Sequence, residues 1–137
     1  MSTCTFSVSE DKKYIISKVV GKVTSQDMYQ HAVEAHELAR SLNLRAFLMD
    51  LTDSVNLQSA GENYNLVYRQ FRTSDKLIRN SRLALWVKAD DHSHDFIETL
   101  AFNAGDNVKV FRDPQKAINF LLEVYEPPSN KYKSSQK

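Results

Sequence analysis

Glycine is scarce in this chain: three residues in 137, far apart, which leaves no glycine-rich loop to cradle a phosphate. A single cysteine, Cys4, excludes an intramolecular disulfide and fits a reducing compartment. No apolar run approaches the roughly 20 residues that span a bilayer. No basic segment followed by an apolar stretch opens the chain, so no signal peptide is expected and the location is read as cytoplasmic. Excess charge of one sign is also missing: the formal net charge is +1, so no global field recruits nucleic acid or anionic membrane. No Gly-x-Ser-x-Gly elbow occurs and Cys4 lies near a terminus, so a nucleophilic triad is not supported.

What is present is an alternation of short apolar runs and helical periodicities. Residues 5–9 alternate polar and apolar, and Tyr14 to Val20 is rich in β-branched residues. The charged turn Glu10 to Lys13 joins them as a four-residue hairpin connection, and Gly21 closes the second strand. Thr24 with Asp27 three residues on predicts a capped helix from about Ser25 to Leu42, with Met28, Ala32, Ala35, Ala39 and Leu42 inward. Arg45 to Leu51 reads as the central strand, buried on both faces and ending at a polar loop, Thr52 to Gln58.

A second helix starts near Ser59, with Ala60, Tyr64, Val67, Tyr68 and Phe71 inward. Leu83 to Val87 is a strand. The polar stretch Asp90 to His94 leads into a third helix with Ile97, Leu100 and Ala104 inward, closed by Gly105. Val108 to Phe111 is a short strand, and Asp113-Pro114 caps and opens a last helix with Ala117, Leu121 and Val124 inward. The order is β-β-α-β-α-β-α-β-α. It predicts an α/β fold with a mainly parallel five-stranded sheet and an antiparallel N-terminal hairpin strand. Residues 1–126 form one domain by length, and 127–137 a polar tail expected to be disordered.

The succession Val20-Gly21-Lys22-Val23-Thr24 before a helix, the strand Phe47-Leu48-Met49-Asp50-Leu51, and Val108-Lys109-Val110-Phe111 followed by Asp113-Pro114-Gln115-Lys116-Ala117 resembles the SpoIIAA-like family. That family is related to the STAS domain, and its fold is also compared to the lipid-binding CRAL-TRIO domain. The likeness covers residues ~5–125 in pattern. It implies a β-α superhelix. In regulatory STAS domains of the anti-anti-sigma type a phosphorylatable serine sits in an Asp-Ser-Ser-Gly motif. Here the stretch is Gln58-Ser59-Ala60-Gly61, and aligned on the glycine the phosphorylated position is Ala60, which has no hydroxyl.

Candidate chemistry gathers in three places. Asp50, Thr52, Asp53, Ser54, Ser59 and Gly61 form a candidate ligand- or partner-binding set at the carboxyl edge of the central strand. There the amides from Ser59 to Glu62 suit an anion. The alternative is a loop whose Asp and Ser residues make turns and cap a helix. Asp90-Asp91-His92-Ser93-His94-Asp95 offers carboxylates and imidazoles, but at no compact zinc spacing, so a helix cap is expected and no metal. His31 and His36 are not at the spacing of a helical metal pair and are placed at the boundary or surface. Arg69, Arg72, Lys76, Arg79, Arg82 and Lys88 form a basic run, read as a solvated face.

No catalytic residues and no cofactor are assigned. The leading reading is a non-catalytic STAS-like binding or regulatory module. Its partner would be another protein or a second copy of the chain. A carrier of a lipid or other apolar small ligand is the alternative, and an enzyme using the acidic loops the third. One consequence is structural: neither inner strand alternates with polar residues, so the second face of the sheet needs a cover for Phe47, Met49 and Trp86. A helix that crosses over, a second subunit and an apolar ligand are expected in that order. Phe102 and Val33, off their helices' core stripes, add surface for self-association.

Overall fold

The computed structural model describes residues 2–56, 60–66, 69, 73–96, 98–99 and 107–123. Five strands form one sheet in sequential order: β1 (Ser2–Val8), β2 (Ile15–Val23), β3 (Ala46–Asn56), β4 (Arg82–Trp86) and β5 (Val108–Phe111). The β1–β2 pair is antiparallel and every later pair parallel, as the sequence predicts. The hairpin loop is fixed by Ser9, whose Oγ accepts from the amides of Lys13 and Tyr14 and donates to Asp11. Lys12 takes the left-handed conformation there, and Gly21 has φ 109° inside β2, which suits its missing Cβ.

Helix α1 (Ser25–Leu42) has the predicted bounds. Thr24 Oγ1 accepts from the Asp27 amide at 3.2 Å as the helix cap. Asn43 in the left-handed conformation ends the helix, its N–H reaching the Ala39 and Arg40 carbonyls. The buried stripe differs from the predicted one. Met28, His31, Val33, Ala35 and Ala39 are buried, whereas Leu42 is 45% exposed. Leu38 and Leu44 pack where Leu42 was expected. Val33 therefore offers no surface for self-association, and Phe102 lies outside the described residues.

The predicted loop from Thr52 is a correction: β3 runs on to Asn56, paired with β2 as far as Val23. The polar residues there are tolerated because they alternate, with Ser54 and Asn56 buried and Asp53 and Val55 exposed. Helix α2 (Ala60–Asn65) begins where a helix was expected, but Tyr64 is 48% exposed, and Asn63 and Leu66 are the buried residues. Val67, Tyr68 and Phe71 lie outside the described residues. So do Ile97, Leu100, Ala104 and Gly105 of the third expected helix, of which Asp95, Phe96, Glu98 and Thr99 are helical. Helix α3 (Pro114–Leu122) is capped by Asp113 with Pro114 in its first turn, as predicted; Val124 and the tail are not described.

Two apolar layers sandwich the sheet. On one face Ile15, Val19, Phe47, Met49, Leu51, Leu85 and Val87 pack against α1 and Leu66. On the other, Ala46, Leu48, Ala84, Trp86 and Phe111 pack against Ala117, Ile118, Phe120 and Leu121 of α3. A helix is thus the cover of the second face. Being terminal, α3 is not a crossover between parallel strands, so the handedness rule does not hold it to the side of α1. The register Asp50↔Trp86 corrects the expected grouping: Trp86 shares a face with Leu48, while Phe47 and Met49 turn toward α1 with Leu83 and Leu85.

Candidate functional site

Beside α3, on the same face, lies a polar cluster built by a β-bulge. Lys18 pairs with Asp50 in the register, but Val20 pairs with Asp53, so β3 carries one extra residue. In a regular strand Asp50 and Asp53 would point to opposite faces. The bulge reverses that parity and aims both at Lys18, with Nζ–Oδ2 distances of 3.2 Å to Asp50 and 2.8 Å to Asp53. Lys18 Nζ also donates to Thr52 Oγ1 at 3.1 Å. Asp50 Oδ1 accepts from the Thr52 amide at 3.0 Å and from its hydroxyl at 2.6 Å, which closes the bulge. The hydrogen bond and charge of Lys18 hold the Asp53 carboxyl below its ordinary range. The Asp53 hydrogen bond is in turn the largest influence on Lys18, which is raised.

Of the predicted set, the structure brings together Asp50, Thr52 and Asp53. Ser54 points to the opposite face, buried, its hydroxyl donating to the Leu51 carbonyl at 3.2 Å. Gly61 is exposed on α2, with nothing within 4 Å of an added Cβ. Ser59 lies outside the described residues. Lys18, the centre of the cluster, escaped the sequence reading. Its signal was a lysine in the middle of a β-branched-rich strand, but only the β2–β3 register sets it opposite Asp50.

The Asp90–Asp95 stretch folds into a hydrogen-bonded knot at the carboxyl edge of the sheet. Asp91 Oδ1 accepts from the Ser93 amide and hydroxyl at 2.9 and 2.7 Å, and Ser93 Oγ accepts from the Asn56 amide at 3.1 Å. Asn56 Nδ2 donates to Asn63 Oδ1 at 3.3 Å, so β3, α2 and this loop share one polar seam. Arg112 donates to the Asp91 carbonyl and the Asp95 carboxylate at 2.7 and 3.1 Å. His94 is fully buried with Nε2 3.7 Å from Asp91 Oδ2, and burial lowers its pKa against the pull of Asp91 and Asp95. Among the described residues no group of three or more His, Cys, Asp or Glu is placed to hold a metal ion.

Two other sets resolve differently from expectation. His31 is buried, deeper than the expected boundary or surface position, whereas His36 lies half-buried at the boundary. His31 is buried with Nε2 3.0 Å from Ser2 Oγ, and the Ser2 hydroxyl also donates to Asp27 at 3.0 Å. His36 stacks on Phe47 with ring centroids 4.1 Å apart, and its Nδ1 accepts from the Ile78 amide at 2.8 Å. The basic run does not form one face. Arg82 turns to the end of α3, donating to the Phe120 carbonyl at 2.9 Å and to Glu123 at 3.2 Å, 4.6 Å above the Phe120 ring. Arg69, Lys76, Arg79 and Lys88 are exposed, and Arg72 lies outside the described residues.

The arrangement is that of a sequential parallel α/β sheet with an antiparallel first strand and a polar bulge on its open shoulder. That is the SpoIIAA-like fold. The chain is similar to an uncharacterized protein of the DUF3478 family with a SpoIIAA-like fold from Shewanella loihica, at 19% identity and a TM-score of 0.54 over 88% of this chain and 93% of that one. It is also similar to an anti-sigma factor antagonist from Mycobacterium paratuberculosis, at 10% identity and a TM-score of 0.55 over 88% of this chain and 94% of that one. No family model and no curated protein matches the sequence. Among the described residues no helix is long and apolar enough to cross a membrane.

Proposed function

We propose that the chain is a non-catalytic binding module that engages a protein partner through the open shoulder of its sheet. The observation that carries this reading is the surface around the bulge. Val20 and Val55 are 45% and 48% exposed there, beside the exposed Asp53 and Lys22. Exposed valines on paired strands, next to an ion-paired cluster, give an apolar contact with a polar rim on a rigid base. The fold it shares with a protein described as an anti-sigma factor antagonist supports a protein as the partner class. Partner choice through a serine switch is not part of the proposal, because the position that the STAS resemblance aligns with the phosphoserine is Ala60. The apolar face that motivated ligand carriage is occupied by α3, so it lends that reading no support.

A photoreactive amino acid at Val55, in cells expressing the full chain, tests the proposal against the same probe at the exposed Glu37 on α1. A discrete protein adduct from Val55, weakened by Asp53→Lys and missing from Glu37, is the expected result. No adduct at Val55, or equal adducts at both positions, would overturn it.

A further inference from the structure

The two edges of the sheet are treated differently. At β5, Asn107 and Phe111 direct their carbonyls to β4, so the Val110 amide between them points outward. That amide is taken by Glu98 Oε2 at 2.6 Å, which places a charge on the edge. The outer edge of β1 has no such guard: among the described residues no strand pairs with it, and its sequence, Ser-Thr-Cys-Thr-Phe-Ser-Val, holds no charge and no proline. Its backbone polarity follows from the hairpin. The Ser9 amide donates to the Tyr14 carbonyl, so the odd residues of β1 bond to β2 and Ser2, Cys4, Phe6 and Val8 turn their amides and carbonyls outward.

We infer that this edge is a homotypic interface: β1 pairs antiparallel with β1 of a second copy about a two-fold axis at Thr5, joining two sheets into one. The inference is independent of the partner surface proposed above. A register centred on Thr5 opposes Ser2 to Val8, Thr3 to Ser7 and Cys4 to Phe6 of the other copy, and uses the whole strand. It puts the outward-facing even residues opposite one another, as hydrogen bonding requires, and gives about eight new backbone bonds.

Parity is also kept on both faces. Thr3, Thr5 and Ser7, all exposed, meet hydroxyls, while Cys4 and Phe6, which pack partly into the core, meet each other. A foreign strand could supply the backbone bonds, but this side-chain order matches a second copy of β1 itself. The charges that act on β1 from α1 are Asp27, which accepts from Ser2 Oγ at 3.0 Å, and Glu34, which acts on Cys4. The contact is one strand pair, smaller than a standard interface, so the dimer is reversible and concentration-dependent.

Cysteine at position 5 tests the register, since the non-hydrogen-bonded pair at the axis brings the two Cα atoms to about 4.5 Å, within disulfide reach. In the full chain with Cys4→Ser, mild oxidation of Thr5→Cys is expected to give a disulfide dimer. Thr3→Cys and Ser7→Cys should each stay monomeric alone but cross-link when mixed. Thr5→Lys, at an exposed position, sets like charges opposite one another and should weaken the dimer at least tenfold in sedimentation equilibrium, with unchanged circular dichroism. Cross-linking of all three cysteine variants to the same extent, or sedimentation of the native chain as a monomer at all concentrations, would overturn the inference.

Discussion

Lys18 is paired by register with Asp50, yet its shorter ion pair, 2.8 Å, is with Asp53, three residues further along β3. The bulge makes this possible, and the ion pairs in turn hold the bulge. Replacing Lys18 by methionine keeps the aliphatic stem against the sheet and removes the charge that holds the two carboxylates together. Because the ammonium is a third exposed, solvent screens the pair, and the expected loss is about 1 kcal/mol in urea melts. Adding Asp53→Asn to Lys18→Met should recover part of it. A double variant that only adds the two single losses would show that the contact is not coupled.

Asp113 Oδ1 accepts from the Gln115 amide at 2.9 Å ahead of Pro114. The Asp113→Ala variant should lose about 1 kcal/mol, whereas Asp113→Ser should lose little, because a hydroxyl serves as a cap. Equal losses in denaturant melts would place the effect outside the cap. The helix at stake covers Ala46, Leu48, Ala84 and Trp86, so Trp86 emission should shift to the red as Asp113→Ala melts.

Much of this fold was legible because its signals are local. Thr24 with Asp27, and Asp113 with Pro114, announce helix starts through hydrogen bonds that span a few residues. The strand cores Phe47 to Leu51, apolar but for Asp50, and Leu83 to Val87, wholly apolar, announce themselves through their apolar runs. What was missed depends on register. Thr52 to Asn56 has loop composition, and it is a strand because β2 extends beside it past a bulge. Lys18 meets Asp50 only once the parallel pairing is set, and Trp86 was assigned to the wrong face for the same reason. The burial of His31 and the partners of both histidines were not legible, because Ser2 and the Ile78 amide lie 29 and 42 residues away.

Glu98 holds the outward amide of Val110 in β5 through its side chain. The Glu98→Ala variant should speed hydrogen exchange at Val110 more than tenfold and leave the Leu85 amide, inside the sheet, unchanged. It should also aggregate more readily, because it frees a strand edge. Unchanged exchange at Val110 would mean that another group shields that edge.

The pH dependence of stability should carry the mark of His36. Burial of its ring, with the Arg40 charge adding to it, lowers the pKa from 6.5 to about 4. The ring is neutral in the folded chain because Nδ1 accepts from the Ile78 amide while the ring lies flat on Phe47, an arrangement that leaves Nδ1 no room for a proton. In the unfolded chain the same histidine binds a proton once the pH falls below about 6.5. Between 6.5 and 4 the unfolded state therefore holds more protons than the folded one, and stability falls as the pH falls. The fall ends near the folded pKa and amounts to at most about 3 kcal/mol. His31 and His94, also lowered by burial, act in the same direction, so the slope in this window belongs to more than one ring. The carboxylates held below their ordinary range, Asp11, Asp27, Asp53, Asp91 and Asp95, add their losses at lower pH, below about 4. His36→Gln keeps an acceptor for the Ile78 amide and cannot titrate. Its unfolding free energy, measured from pH 7.5 to 4, should fall less steeply than that of the native chain. A parallel pair of curves, or an imidazole resonance of His36 titrating near 6.5 in the folded protein, would show that the ring is open to water and that its stacking on Phe47 does not persist in solution.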